Sequence, residues 1–443
     1  MAKKTKAADL SIEEKLEQAL VVPGYEPYKI PDNWCWVSLD SLGRFGMGQT
    51  ILSKDLVDNG IPVYSATEED RIFGFIYSNN NLIKLSTNDI VIPARGNSIG
   101  YVKLISEKEA TCTQTTMFYK PINKEISKYI YYYMKSRKDD LFAYHGNAIP
   151  QITINKVSKK AVALAPMIEQ HRIVERIESL FSKLDEAKEK AQEVIDSFET
   201  RKATILHKAF SGELTAKWRE ENGVGIESWE RKRISECCKL GSGGTPSRKK
   251  TNYYTGDIPW IKTGEINWNT VNYSEESITQ EAIDNSSAKV YAPGAVLVAM
   301  YGMGITRGKA AILGIEAATN QAVCVLQPKE YLFNRYLYFF FMCNYWDIRE
   351  QAVGGNQLNL SATIIGKLNI DIPNLEEQYV ITELLDSIIE KEYQTKQIAD
   401  SVIDQIDAMK KAILARAFRG ELGTNDPEEE SAVELLKQIL SGE

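Results

Sequence analysis

Residues 241–250 read GSGGTPSRKK and gather several reactive groups in ten positions. The glycines leave backbone N–H groups open to approach. Thr245 and Ser247 add hydroxyls, and Arg248, Lys249 and Lys250 add three cations. That mixture suits anionic oxygens and the polar edges of bases. It is not a nucleotide-cradling loop, because the spacing G-x-x-x-x-G-K-[ST] is missing. A second glycine-bearing stretch, MYGMGITRGK at 300–309, lacks the downstream context of a dinucleotide fingerprint and reads as a hairpin carrying Arg307.

Similar groups recur along the chain. Gln49, Thr50 and Lys54 fall in GMGQTILSK, Arg95 and Asn97 in PARGNSIGYV, and Gln114 in CTQTTMFY. In the second half Lys262, Arg307, Asn320 and Gln321 join the set. Arginine and amide side chains can meet a base edge with two hydrogen bonds; any one of them alone is an ordinary turn residue. Catalytic equipment is sparse by comparison. The chain has no HExxH, no Asn/Asp-Pro-Pro-aromatic tetrapeptide and no helicase P-loop, and Asp257 with Glu265 and Asn267 makes no persuasive nuclease cluster. The six cysteines show no CxxC spacing and read as reduced, mostly buried thiols; the histidines are His145, His171 and His207. The chain therefore reads as non-catalytic, with no metal site.

What holds these turns in place is written twice. HKAFSGEL at 207–214 returns as ARAFRGEL at 415–422. The shift of 208 holds without a gap back to Glu169-Gln170 against Glu377-Gln378, with 19 of 46 positions identical. A period this long is no solenoid repeat; it describes two half-molecules in tandem. Within the repeat Val174, Ile177, Phe181, Leu184, Ala191, Ile195, Phe198 and Ile205 step by threes and fours, and Leu385, Ile389, Ala399, Ile403, Ile406 and Ile413 follow in phase. Lys188 and Lys202 interrupt the first stripe, Lys396 and Lys410 the second. Pro166 and Pro373 mark the starts, Asn374-x-x-Glu377 has capping-box spacing, and Gly212 and Gly420 mark the ends. Each helix should run about 43 residues, or roughly 65 Å. Neither can cover its stripe alone, so an intramolecular antiparallel pair is expected in preference to a coiled coil between chains.

The segments between the helices resemble each other more faintly. Each opens on a tryptophan entry, PDNWCWVSLDSLG and IESWERKRISECCKLG. Each continues through short β-branched runs to an aromatic helix, KYIYYYMKSR and NRYLYFFFMC, expected to be core. The expected organisation is an N-terminal helix and arm at 1–30, with Ser11 and Glu14 as a capping box; β-rich domains at 31–165 and 222–373; long helices with spacer at 166–221 and 374–424; and an acidic tail with a short helix at 425–443. The net charge of −7 argues against coating DNA by bulk charge, and no apolar run is long enough to span a bilayer, so a cytoplasmic location is expected.

This order of parts resembles the specificity subunit of type I restriction-modification enzymes. The likeness covers about residues 25–424 and rests on two tryptophan-led β-rich halves, each followed by a proline and a Glu-Gln pair (Pro166-x-x-Glu169-Gln170 and Pro373-x-x-x-Glu377-Gln378), a long helix and Ala-Phe-x-Gly-Glu-Leu. It implies an α+β fold with two target recognition domains in a pseudo-twofold arrangement, separated by two long helices forming an antiparallel coiled coil. It implies that each domain reads one half of a split double-stranded DNA site, with Gln49, Thr50, Lys54, Arg95, Asn97 and Gln114 the candidates in one and Thr245, Ser247, Arg248, Lys249, Lys262, Arg307 and Gln321 in the other. Two methyltransferase subunits and restriction-translocase subunits would dock around the rod, where Glu169, Gln170, Gly212, Glu213, Glu377, Gln378, Gly420 and Glu421 are the candidates. S-adenosylmethionine, ATP and Mg2+ would belong to those partners and no cofactor to this chain. A non-catalytic structural adaptor with repeated β-rich domains is the rival reading, and a self-sufficient restriction-methylation enzyme is a third.

Overall fold

The computed structural model describes residues 10–67, 72–79, 81–143, 150–302, 304–352 and 359–442. The chain forms two compact units, one made of residues up to Ala191 together with those from Ser401 onward, the other of Gln192–Asp400. Each unit thus contains one β-rich domain and a stretch of both long helices.

The two domains share one topology. In the first unit Cys35–Ser38 pairs antiparallel with Ala161–Leu164, which closes the domain by joining its first strand to its last. A four-stranded sheet runs in the order Gly43–Met47, Thr116–Pro121, Ile90–Pro93, Lys103–Leu104, and a three-stranded sheet in the order Gly74–Ile76, Ile61–Tyr64, Thr111–Cys112. The last pair is parallel. In the second unit Glu230–Arg233 pairs with Asn369–Ile372. Its larger sheet runs Cys238–Ser242, Val323–Pro328, Val296–Ala299, Ala310–Leu313, Thr270–Val271. Its smaller one runs Ser277–Ile278, Ile258–Ile261, Ala317–Thr319, Val290–Tyr291. Again one inner pair is parallel. The second domain adds one strand to each sheet, a difference that the faint sequence likeness does not reveal.

The aromatic helices are core. Ser127–Ser136 buries Tyr129 and Tyr133, whose hydroxyls donate to the carbonyls of Ala163 (2.6 Å) and Ala161 (2.8 Å). Asn334–Cys343 buries six residues in a row, Tyr336 to Phe341, and Tyr336 donates to Asp371 O at 2.7 Å. A buried tyrosine needs a partner for its O–H, and here the closing strand supplies it. Five cysteines are buried thiols and Cys343 is half-buried.

The repeated Ala-Phe-x-Gly-Glu-Leu now has a physical purpose. Phe418, from the end of the second long helix, packs edge-on against Tyr129 and Tyr133, both at 5.2 Å. Phe210, from the end of the first, packs on Tyr336 at 5.0 Å. Each long helix therefore ends on the aromatic helix of the domain that precedes the other long helix. Gly212 (φ +80°) and Gly420 (φ +73°) turn the chain out of the helix in the left-handed region that glycine adopts freely.

The second long helix is continuous over Leu375–Ala417, 43 residues. The first runs Met167–Asp196 and resumes at Phe198–Phe210, so the single helix expected is interrupted at Ser197. There the Ser197 hydroxyl donates to Glu193 O and Arg201 reaches back to Val194 O, side chains competing with the backbone ladder. Within each unit the helices run antiparallel. In the first, Lys188 bonds Asp407 at 2.9 Å and Lys410 bonds Asp185. In the second, Arg201 bonds Glu392 at 2.8 Å, and Phe198 meets Tyr393 at 5.0 Å. The four lysines that interrupt the stripes sit beside carboxylates or ring faces, with Lys396 over Phe198 and Lys410 over Phe181. Their stems lie along the seam while the charges stay at its edge.

At the chain's other ends, Ser11 and Glu14 form the expected capping box. The tail folds into Ala432–Ser441, whose Leu435, Leu436 and Ile439 join the core of the first unit.

Candidate nucleic-acid interface

Two kinds of site stand out in each unit: a buried brace at the start of the long helix, and a polar edge where several strands end together.

The braces explain the Glu-Gln pair that follows each proline, Glu169-Gln170 and Glu377-Gln378. Glu169 is fully buried and accepts hydrogen bonds from Trp34 Nε1 (2.7 Å) and Asn425 Nδ2 (2.9 Å). Glu377 is equally buried and accepts from Trp229 Nε1 (3.0 Å), Thr215 Oγ1 (2.6 Å) and Arg219 Nη1 (2.6 Å). In both units the entry tryptophan and the segment that follows a long helix meet on one carboxylate. The glutamines bond backbone: Gln170 Nε2 to Ala165 O and Gln378 Nε2 to Pro373 O, both 2.8 Å. These findings correct the expectation for the rod. Glu169, Gln170, Glu377 and Gln378 are spent inside their units and present nothing to a partner, and Gly212 is buried at its turn. Glu213 and Glu421 remain exposed. The Asn374 box is also half of what its spacing suggests: Asn374 caps Glu377 N–H at 2.8 Å, but the Glu377 carboxylate turns inward to the brace.

The braces differ in charge. Glu377 faces a guanidinium, whereas the direct donors to Glu169 are neutral. Burial therefore pushes the Glu169 carboxyl above its usual range, with Asn425 and Trp34 opposing the rise. A carboxyl that holds its proton to higher pH when folded favours the folded state at low pH, and that contribution is lost as pH rises through the raised value. Urea midpoints of the first unit should thus fall across that window relative to Glu169→Gln, which should flatten the slope; parallel profiles would contradict the assignment.

The polar edge of the first unit lies where Gly43–Met47, Ile61–Tyr64, Ile90–Pro93 and Thr111–Cys112 end. Gln49 N bonds Cys112 O (3.1 Å), Thr113 N bonds Tyr64 O (2.9 Å) and Ala94 N bonds Thr115 O (2.9 Å). This brings Gln49, Thr50, Thr113, Gln114 and Thr115 together, with Arg95 and Asn97 on the exposed loop that leaves the same edge. The approach is close enough to need glycine at 48, where a Cβ would fall 2.2 Å from Thr113 O. Gln49 Oε1 accepts from Ile83 N–H (2.6 Å), and Gln114 Oε1 from Thr50 Oγ1 (2.7 Å). With those oxygens engaged, the amides chiefly offer NH2 donors, which match purine N7, guanine O6 and thymine O4. Lys54 is exposed on the next turn, Ser53–Asp55.

The second unit has the corresponding edge. Gly244 N bonds Thr319 O, Asn320 N bonds Ile261 O and Met300 N bonds Ala322 O, each at 2.9 Å. Glycine is again required, since a Cβ on Gly243 would lie 2.0 Å from Thr319 O. Thr245, Ser247, Arg248, Lys249 and Gln321 are exposed, and Lys262 and Arg307 are half-buried. Arg307 lies on a loop shaped by Arg349, which donates to Arg307 O (2.5 Å) and Gly304 O (2.7 Å). Sequence reading treats Arg248 and Lys262 as bare cations. The structure pairs both with Glu276, at 2.6 and 3.0 Å, and Lys262 also with Glu275 at 2.9 Å. Nothing local announces these carboxylates, because they arrive on the segment that leads into the neighbouring strand, Ser277–Ile278.

One catalytic spacing escapes the reading of the chain as unarmed. Gly96-Asn97-Ser98-Ile99-Gly100 spells G-x-S-x-G. Ser98 is 7% exposed, and the next element is the strand Lys103–Leu104. The strand-to-helix turn that exposes such a serine is not formed. His145 lies outside the described residues.

The family model for the type I restriction modification DNA specificity domain matches twice, over residues 31–196 and 226–402. A type I restriction enzyme specificity subunit of Escherichia coli is 25% identical over 302 residues, 65% of this chain and 69% of that one. The MjaVIII specificity subunit of Methanocaldococcus jannaschii is 22% identical over 424 residues, 89% and 94% of the two chains. Among solved structures, the HsdS subunit of Thermoanaerobacter tengcongensis superposes with a TM-score of 0.61 at 18% identity, covering 89% of this chain and 99% of that one. At that identity the superposition speaks for the fold.

Proposed function

This chain belongs to the family of type I restriction-modification specificity subunits, and from that premise we propose that it is a non-catalytic reader of a split, asymmetric DNA site. Each β-rich domain reads one half-site with its polar edge. The observation that carries this reading is that two domains of one topology present edges of different chemistry, amides and hydroxyls around Gln49 and Gln114 in one, cations and carboxylates around Arg248 and Lys262 in the other. Near-identical edges would suit a palindrome; unlike edges suit an asymmetric site.

The two long helices take the role of spacer. A helix of this length measures roughly 65 Å, and major-groove faces recur about every 34 Å; a stiff element can enforce such a period where a flexible linker cannot. Methyltransferase subunits carrying S-adenosylmethionine, and restriction subunits using ATP and Mg2+, supply the chemistry and much of the positive charge that this acidic chain lacks. Exposed rod residues, Glu213 and Glu421 among them, are offered to those subunits in place of the buried glutamates.

Sequencing the adenine methylation of cells with and without this chain tests the reading. One split motif should lose its mark when the chain is absent. An unchanged methylation pattern would overturn the proposal.

A further inference from the structure

We propose that Arg248 reads a guanine in the half-site of the second domain and that Glu276 is the residue that positions it. The inference rests on the specificity reading above and adds the base class. Arg248 is exposed at 53% of its side chain, on the loop that leaves the polar edge. An exposed arginine ordinarily samples many rotamers and loses that freedom on binding. Here the plane is already set. Nη1 lies 2.6 Å from Glu276 Oε2, and the guanidinium sits 4.1 Å from the Tyr254 ring and 5.0 Å from the Trp260 ring. The rings are themselves fixed by the loop they support: Trp260 Nε1 donates to Gly244 O at 3.0 Å, and Tyr254 OH to Pro246 O at 2.6 Å.

The base class follows from what the fork can still do. The bond to Glu276 engages one of five N–H donors, so a parallel pair remains for an acceptor pair. Guanine alone offers two acceptors side by side, O6 and N7, in the major groove. The local charge argues against a plain phosphate contact. Glu276 accepts from Lys262 as well, and Lys262 is shared with Glu275, so each of these cations already faces a carboxylate. Arg248 first, and Lys262 after it, hold the Glu276 carboxyl below its ordinary range, which keeps it ionised as a positioning group. Phosphate binding favours uncompensated cations; base reading favours an oriented donor. The polar edge of the first unit gathers Gln49, Thr50 and Gln114, and the arginine on its loop, Arg95, is paired with no carboxylate among the described residues, so the held fork belongs to one half-site.

The test uses the chain co-purified with its methyltransferase partner to select from a pool of randomised DNA duplexes. Wild type is expected to enrich a split motif with guanine at one position of one half. Arg248→Lys keeps the charge and removes the fork. It should relax that position on the order of 5- to 150-fold, with every other position and the salt dependence retained. Glu276→Gln should relax the same position more mildly. The proposal is overturned if Arg248→Lys leaves every position unchanged, or weakens all duplexes alike, the signature of a phosphate contact. A wild-type complex that enriches no split motif fails earlier and removes the specificity reading itself.

Discussion

Glu377→Ala is expected to lower the stability of the second unit by about 3–5 kcal/mol, the loss typical when one partner of a buried ion pair is removed. The carboxylate is fully buried and the Arg219 side chain is 10% exposed. Without Glu377, the guanidinium keeps its bonds to Gly212 O (2.6 Å) and Thr215 Oγ1 (3.0 Å) but has no counter-charge, and Trp229 Nε1 and Thr215 lose an acceptor. The brace ties Glu377 to Thr215, Arg219 and Trp229, which lie 162, 158 and 148 residues away in sequence, so the loss should appear in the whole unit's cooperative transition. In urea the second transition should move to lower denaturant while the first stays in place. Double substitution with Arg219→Ala should cost less than the sum of the two single changes, because no charge is then left stranded. The exposed pair Lys188–Asp407 is the control: Lys188→Ala should change stability by less than about 1 kcal/mol. An equally small effect at Glu377 would contradict the brace.

The second expected result is a double dissociation in DNA recognition. Gln49→Ala combined with Gln114→Ala should relax the first half-site by about 1–3 kcal/mol for each amide that pairs with a base edge, leaving the second intact. Arg307→Ala should do the reverse. The substitutions are conservative for the fold. Gln114 is exposed, Gln49 engages one backbone N–H, and the Arg307 loop takes its shape from Arg349 bonds to backbone carbonyls, which alanine retains. Selections from randomised duplexes would show which half of the motif degrades. If either variant weakened both halves equally, the assignment of one edge to one half-site would be wrong.

Most of the fold was legible because it is written at long range in register. The 208-residue shift aligned Phe210 with Phe418 and Gly212 with Gly420, and the structure gives those pairs matching roles. The aromatic runs announced core helices because six consecutive large apolar residues have nowhere else to go. The site was less legible, for a physical reason. Glu169 and Glu377 stand at helix starts where a glutamate normally faces solvent or caps, and their partners Trp34, Asn425, Arg219 and Trp229 lie more than a hundred residues away. Arg248 and Glu276 are only 28 residues apart, but the fold of the intervening segment, not the local sequence, brings them together, and the break at Ser197 depends on two side chains whose propensities give no warning. The polar edges were found in part because glycine-rich turns mark them. Which side chains gather there is decided by strand ends, and the faint likeness of the two halves does not spell those out.

Footprinting the assembled complex on DNA carrying its methylated motif tests the central claim most directly. Two protected zones separated by unprotected base pairs are expected, with protection at one zone lost in the Gln49→Ala, Gln114→Ala variant and at the other in Arg307→Ala. A single uninterrupted zone, or two zones that fade together in either variant, would contradict the account.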